Sequence, residues 1–419
     1  MRLLKQLPFL AVSGGHFVVD TLNGLPAVLL AFFSVPYGLT NAAVGLLATV
    51  YGLAGALFQP VFGVAADRYG GKWLSVGGLL WLGGFFALVS LASGETALLF
   101  LVLAGLGSGA FHPAGTMDAA AISRRDLAGK AATGAALFFL FGQVGSAFGP
   151  AAGGALIDRV GTAGLLLLAA LCLPAAVLTL LARREPRGIA SAASEARRVE
   201  PHGSMVRSLL QAELILIVLM AILRFWVQAS TQAFLPKLLM EQGFSSTAYG
   251  GLAGLFMLGA AAGGLAGGIL GDRLGNFPIM LGATALSVIP FYLLPVTSGA
   301  LLPALILIAG LLCVAPHSIQ VTMAQNSLPG RSGLASGLIL GSMFTLGGIG
   351  VFLTGLVADQ VGLATVLQAN ARLCALGTGI GVALWLVMRR RRTAGEDERR
   401  VPDELERFSA EGATHVGGT

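Results

Sequence analysis

Eight side chains carry most of the chemistry open to this chain. His16, Asp20 and Asn23 follow one another at i, i+4 and i+7, and Arg224, Gln228 and Gln232 at steps of four. Two histidines sit beside prolines, in Phe111-His112-Pro113 and Pro316-His317. On an α-helix each triplet falls on one face. All eight lie inside long apolar stretches, where an ionisable group is costly enough to mark a function. A carboxylate between apolar walls can take up a proton, and a guanidinium there can meet an anion. Two readings of Asp20 and Arg224 are open. They form a static ion pair that satisfies two buried charges, or Asp20 takes up a proton and releases Arg224. Asp20, His16 and Arg224 are therefore expected to handle protons. Asn23, Phe111, His112, Gln228, Gln232 and His317 are expected to line a cavity, the rival role for the histidines being a helix-to-helix hydrogen bond. The prolines at 113 and 316 are each expected to break a helix. No Cys, Asp or Glu spacing near the histidines suggests a metal, and Cys172, Cys313 and Cys374 read as small packing residues. No P-loop, kinase, hydrolase or redox motif is present, so neither an enzyme nor a cofactor is expected.

These positions need a frame. Hydrophobic residues make up 55% of the 419 and charged residues 11%, with a mean hydropathy of +0.82. That balance implies an all-α integral membrane protein. About 20 apolar residues cross a bilayer as a helix. Charged and Gly/Pro-rich breaks yield twelve such stretches, at 8–34, 42–66, 74–93, 97–118, 130–157, 163–182, 209–236, 247–271, 277–297, 301–324, 334–358 and 363–388. Counting about 1.5 Å per residue puts Asp20 and Arg224 near mid-membrane depth. The first stretch holds Asp20 and lacks a small-x-small cleavage site, so it is expected to be retained. With the N-terminus in the cytoplasm, 22 of the 26 Lys and Arg fall in cytoplasmic segments, and Arg159 and Lys237 remain outside. Both termini are thus expected inside. The net charge of +6 reflects that topology, with no nucleic-acid partner implied. The expected organisation is a six-helix bundle over 1–182, a polar cytoplasmic linker over 183–207, a second bundle over 208–388 and a polar tail over 389–419.

A fourfold repeat orders these stretches. Gly-x-x-x-Asp-x-x-Gly occurs at Gly63/Asp67/Gly70, Gly154/Asp158/Gly161, Gly268/Asp272/Gly275 and Gly355/Asp359/Gly362. The third copy follows the first by 205 residues and the fourth follows the second by 201. The chain therefore reads as two related halves, each of two related quarters of opposite orientation. Twelve spans, parallel halves and a central loop resemble the major facilitator superfamily. Its Gly-x-x-x-Asp-Arg-x-Gly-x-Lys loop is matched by Gly63, Asp67, Arg68, Gly70 and Lys72, and more weakly in the second half by Asp272 and Arg273. An aspartate meeting a helix N-terminus and a nearby Arg makes a latch that one conformation forms and the other breaks. These residues are expected to brace the outward-facing state. Span five carries Gly145, Gly149, Pro150, Gly153 and Gly154, which resembles the span-five signature of antiporters in that superfamily and implies export by exchange.

Further elements are similar to the fosmidomycin-resistance-type exporters: His16 with Asp20, Gln59-Pro60-Val61-Phe62-Gly63, the run from Gly107 to Pro113, and Gly145 to Pro150. That branch usually continues after His-Pro with Glu and Arg, where this chain has Ala114, Gly115 and Met117. The resemblance therefore does not by itself imply phosphonate specificity, and proton coupling is expected to rest mainly on Asp20 and the histidines. The resemblance implies a twelve-helix, monomeric transporter of the bacterial cytoplasmic membrane, a proton-coupled exporter of small amphipathic or anionic compounds. An uncoupled or importing facilitator, a lipid or lysolipid flippase and a non-transporting sensor remain open as alternatives.

Overall fold

The computed structural model describes residues 6–126, 131–182, 212–328 and 332–390. The expected linker, and the tail beyond residue 390, lie outside them. Among the described residues twelve helices are long and apolar enough to cross a membrane. They are span 1 (Leu7–Ser34), span 2 (Asn41–Ala66), span 3 (Gly71–Leu91), span 4 (Gly94–Ala119), span 5 (Ala136–Val160) and span 6 (Thr162–Ala182) in the first bundle. Span 7 (Ala212–Glu241), span 8 (Ser246–Leu274), span 9 (Asn276–Val296), span 10 (Leu301–Ser327), span 11 (Gly337–Val361) and span 12 (Leu363–Arg390) form the second. Helices result because a backbone amide in hydrocarbon has no partner but the chain's own carbonyls.

The repeat is a repeat of backbone shape. Its four closing glycines, Gly70, Gly161, Gly275 and Gly362, all have positive φ, at 87°, 68°, 101° and 85°. Each ends one span and turns the chain into the next, a conformation that a side chain would strain. Span 1 is interrupted at Gly24, between the helices Leu7–Asn23 and Leu25–Ser34. Pro26 has no N–H to offer the carbonyl one turn earlier, which loosens the ladder there. Span 10 breaks as expected at Pro316, between Leu301–Val314 and His317–Ser327. The expected break at Pro113 does not occur, and the helix runs unbroken from Gly94 to Asp126. Gly109, one turn before Pro113, is pressed against the backbone of Gly55 in span 2.

The bundles meet along span 2 with span 11 and span 5 with span 8. Span 5 packs through its glycines. A Cβ on Gly145 or Gly149 would overlap the carbonyl oxygens of Phe17 and Thr21 in span 1, and one on Gly154 would overlap that of Ser246 in the other bundle. Gly153 receives Leu25, and the ring of Pro150 lies over Gly24, inside the unbroken helix Ala131–Val160. The small-residue seam thus serves both the first bundle and the interface. Among the described residues, hydrogen bonds between the bundles, such as Thr49 Oγ1 to the Gly348 carbonyl at 3.0 Å, lie in the half of the molecule away from Leu7 and Arg390. Toward the termini, Gln59–Tyr69 and His317–Ser327 pack on spans of their own bundle.

Candidate functional site

Asp20 sits between two imidazoles. Its Oδ2 is 3.2 Å from His16 Nε2 and its Oδ1 is 3.2 Å from His112 Nε2. The far nitrogen of each ring faces a backbone carbonyl: His16 Nδ1 lies 2.8 Å from the Phe138 oxygen and His112 Nδ1 lies 2.9 Å from the Ser108 oxygen. A carbonyl oxygen only accepts, so both Nδ1 atoms carry hydrogen. Each Nε2 is left facing a carboxylate oxygen, and each of those contacts is a hydrogen bond only when a proton lies in it. With no such proton the cluster is an anion with two lone-pair contacts. With one it is neutral, and with two it is a cation in which both contacts are bonded. Asn23 Nδ2 donates to Asp20 Oδ1 at 3.0 Å and to Ser108 Oγ at 2.9 Å, while its Oδ1 accepts from Tyr51 Oη at 2.6 Å. The side chains of Asp20 and His112 are 15% and 23% exposed, against 2% for His16. The cluster is therefore reached from the His112 side.

Spans 1, 4 and 5 build this group. His16 stacks on Phe138 with ring centroids 4.0 Å apart. Space for it comes from Gly142, where a Cβ would fall on the His16 ring and on Asp20 Oδ2. His16, Asp20 and His112 also form a group that could hold a metal ion, their ligand atoms lying within 4.8 Å of one another. Each imidazole, however, takes its own carboxylate oxygen, which is the arrangement of two hydrogen bonds rather than of three donors converging on one ion. Sequence spacing gave no sign of this group, because the fold brings span 4 to span 1.

Arg224 occupies the matching place in the second bundle but does not pair with Asp20. Its Nε donates to Gln320 Oε1 at 3.0 Å, its Nη1 to Gln228 Oε1 at 2.8 Å, and its Nη2 to His317 Nδ1 at 3.0 Å and Met343 Sδ at 2.8 Å. Every one of these acceptors is neutral. Arg224 is 8% exposed, so a cation is buried with no carboxylate against it among the described residues. Because the two amide oxygens and His317 Nδ1 point at Arg224, the remaining polar ends, both NH2 groups and His317 Nε2–H, are donors. His112 and His317, 205 residues apart, play parallel parts, each on the ionised group of its own bundle.

A cavity of about 240 Å³ lies between the bundles, lined by spans 1, 2, 7 and 11. Of the expected cavity residues Asn23 and Gln232 line it, together with Thr49, Tyr51, Phe225 and Phe344, which the sequence reading missed. Phe225 and Phe344 meet edge to face at 4.9 Å. Gln228 and His317 ring Arg224 instead, and His112 belongs to the Asp20 cluster. Phe111 is fully buried among the helices of the first bundle, a packing residue rather than a cavity wall. Of the expected latch, Arg68 lies over the Tyr69 ring at 5.4 Å and Lys72 over Trp73 at 5.9 Å. Asp272 and Arg273 are exposed, and the side chain of Asp67 lies outside the described set.

Comparison with known proteins agrees with this architecture. A family model described as Major Facilitator Superfamily matches residues 12–349 and 217–411. The chain is 29% identical over 375 residues to the Fosmidomycin resistance protein of Escherichia coli (strain K12), covering 88% of this chain and 90% of that protein. It is 27% identical over 388 residues to the Uncharacterized MFS-type transporter YfnC of Bacillus subtilis (strain 168), covering 88% and 91%. Among solved structures, a bacterial homolog of the human lysosomal transporter Spinster, inward-facing and unoccupied, superposes with TM-score 0.71 at 16% identity, over 91% of this chain and 97% of that one. The nucleoside transporter NupG gives 0.69 at 14%, over 90% and 99%. Twelve spans in two pseudo-symmetric bundles, with a cavity between them, make this chain a multi-pass membrane transport protein that belongs to the Major Facilitator Superfamily.

Proposed function

We propose that the protein is a proton-coupled antiporter of the bacterial cytoplasmic membrane, exporting small amphipathic or anionic compounds as a monomer with both termini inside. The observation that carries this reading is the Asp20 cluster. One carboxylate bridges two imidazoles whose outer nitrogens are fixed as donors, so the group takes up or gives off protons at two contacts while its neighbours hold their places. Arg224, ringed by neutral acceptors, supplies the attraction for an anionic group on the opposite bundle. The Asp20 cluster reaches the cavity wall through Asn23, which bonds Asp20 on one side and Tyr51 on the other, both Asn23 and Tyr51 lining the cavity. This replaces direct exchange of Asp20 and Arg224 as the coupling step: the carboxylate is answered by histidines of its own bundle.

The relative named for fosmidomycin resistance supports export, as does the span-five glycine pattern. Asp67, Arg68, Asp272 and Arg273 are then the brace of the opposite, outward-facing state. The bundles span 1–182 and 208–388, joined by a cytoplasmic linker. The test is a resistance screen of expressing cells against phosphonates, biocides and lysolipids, followed by uptake of the hit into inverted vesicles. Asp20→Asn is expected to abolish uptake driven by a pH gradient and to leave substrate binding in place. Undiminished gradient-driven uptake by that variant would remove the proton role. Uptake that ignores the gradient in the unaltered protein would favour the uncoupled facilitator.

A further inference from the structure

The second and fourth copies of the repeat do something that the third does not. The carboxylate of Asp158, at the end of span 5 in the first bundle, accepts from the backbone N–H groups of Ser246 at 2.9 Å and Thr247 at 2.7 Å, at the start of span 8 in the second. The carboxylate of Asp359, at the end of span 11, accepts from Asn41 at 2.7 Å and Ala42 at 2.9 Å, at the start of span 2 in the first bundle. Donors and acceptors obey the same symmetry, Ser246 and Thr247 lying 205 residues after Asn41 and Ala42.

Helix-end chemistry explains the arrangement. The first turn of a helix has N–H groups without intrahelical partners, and its N-cap side chain satisfies only one or two of them. Here the caps Thr40 and Ser245 accept from the third residue in, Ala43 at 3.1 Å and Ala248 at 3.3 Å. That leaves the first two donors of each helix to the aspartate of the opposite bundle. Charge and helix dipole act in the same sense. The opening glycines of these two copies permit the approach: a Cβ on Gly154 would overlap the Ser246 carbonyl and one on Gly355 that of Asn41. Beside the Asp359 contact, Lys237 reaches from span 7 to Asn41 Oδ1 at 2.7 Å while pairing with Glu241. The buried lysine, expected on sequence grounds to be an outer-loop charge, ties the bundles together.

The copies near the termini differ. A Cβ on Gly63 would meet nothing closer than 3.9 Å and one on Gly268 nothing closer than 3.3 Å, in each case within its own bundle. Asp272 is exposed and has no hydrogen bond or ion pair among the described residues. We propose that Asp158 and Asp359 form two pseudo-symmetric clasps that hold the transporter shut at the face away from its termini, and that their rupture is the step by which that face opens. The clasps do not depend on proton coupling or on the direction of transport.

Double electron–electron resonance on the full chain tests this, with spin labels at the exposed pair Val35→Cys and Val296→Cys for the clasped face and Tyr69→Cys and Leu274→Cys for the other. Cys172, Cys313 and Cys374 are replaced by Ala in this background. Asp158→Asn and Asp359→Asn, which keep one acceptor oxygen but turn an NH2 group toward the second N–H, should each raise the ratio of open to shut distances at the clasped face by about fivefold, as the loss of one hydrogen bond does. The effects should multiply in the double variant, since the clasps share no residue. Asp272→Asn should leave that ratio unchanged. Ser246→Pro offers a second route, because proline is well tolerated at the first helical position yet removes a donor to Asp158. It should act in the same direction as Asp158→Asn. Distance distributions at the clasped face that stay the same in the double aspartate variant, or in Ser246→Pro, would overturn the proposal. So would an equal opening caused by Asp272→Asn.

Discussion

Gly142→Ala probes the space on which the proton site depends. A Cβ at this position would stand 2.5 Å from Asp20 Oδ2 and 2.5 Å from His16 Nε2. Neither ring nor carboxylate can retreat freely, since His16 stacks on Phe138 and holds its carbonyl, and Asp20 is tied to His112 and Asn23. Forcing a methyl into a packed site costs about 1–3 kcal/mol, and losing one hydrogen bond to a charged group about 1.5–3 kcal/mol. Alanine returns about 1 kcal/mol as the better helix former. The net loss is about 1.5–5 kcal/mol. Gly251→Ala is the control, because a Cβ there meets nothing within 4 Å and helix propensity alone should make it neutral or mildly stabilising. Thermal unfolding in detergent should come earlier than the parent's for Gly142→Ala and no earlier for Gly251→Ala, and proton-driven uptake should fall only in Gly142→Ala. A Gly142→Ala protein that melts and transports like Gly251→Ala would refute the claim that the His16–Asp20 contact is held as described.

Other substitutions test other contacts. Arg224→Met should fold less stably than the parent, because it strands the acceptors Gln228 Oε1, Gln320 Oε1 and His317 Nδ1 that the guanidinium now serves, and should lose transport of anionic substrates. Arg224→Lys should fail to restore it, because one ammonium cannot reach the acceptors that Nε, Nη1 and Nη2 now serve; uptake assays with matched anionic and neutral substrates read both. Tyr51→Phe removes the 2.6 Å bond to Asn23 at a stability cost of about 1 kcal/mol. It should depress uptake driven by a pH gradient more than substrate counterflow, and an equal fall in both would detach Tyr51 from coupling. Gly149→Leu places a branched side chain against the Thr21 carbonyl and should prevent spans 1 and 5 from packing. Size-exclusion chromatography of the membrane extract would show aggregate in place of a monodisperse peak.

The fold was legible because membrane helices announce themselves through apolar length, and the glycine-aspartate repeat marks where each quarter turns. Asp20, His16 and Arg224 stood out for a related reason: a charge inside an apolar run is rare. What the sequence did not disclose is who answers each charge. Asp20 and Arg224 looked like partners because both lie at mid-depth in equivalent helices, whereas each is answered within its own bundle, by histidines in one case and by amides and a histidine in the other. His16 and Gln228 lie one turn away on the same helices and were legible, whereas His112, His317 and Gln320 sit on spans 4 and 10, so their contacts depend on packing between helices and leave no local pattern. Gly142 is invisible for the same reason, one glycine among 60 until the ring that fills its space is known. Proline carried only half its message: Pro316 breaks its helix, while Pro113 does not.

The central claim is that Asp20, His16 and His112 hold exchangeable protons as one group. Infrared difference spectroscopy between acid and alkaline states of the purified protein, with and without Asp20→Asn, addresses it directly. The account predicts carboxyl and imidazole bands that change together in the parent and are lost together in Asp20→Asn, with Arg224→Met leaving them in place. A difference spectrum that is unaltered by Asp20→Asn would contradict it.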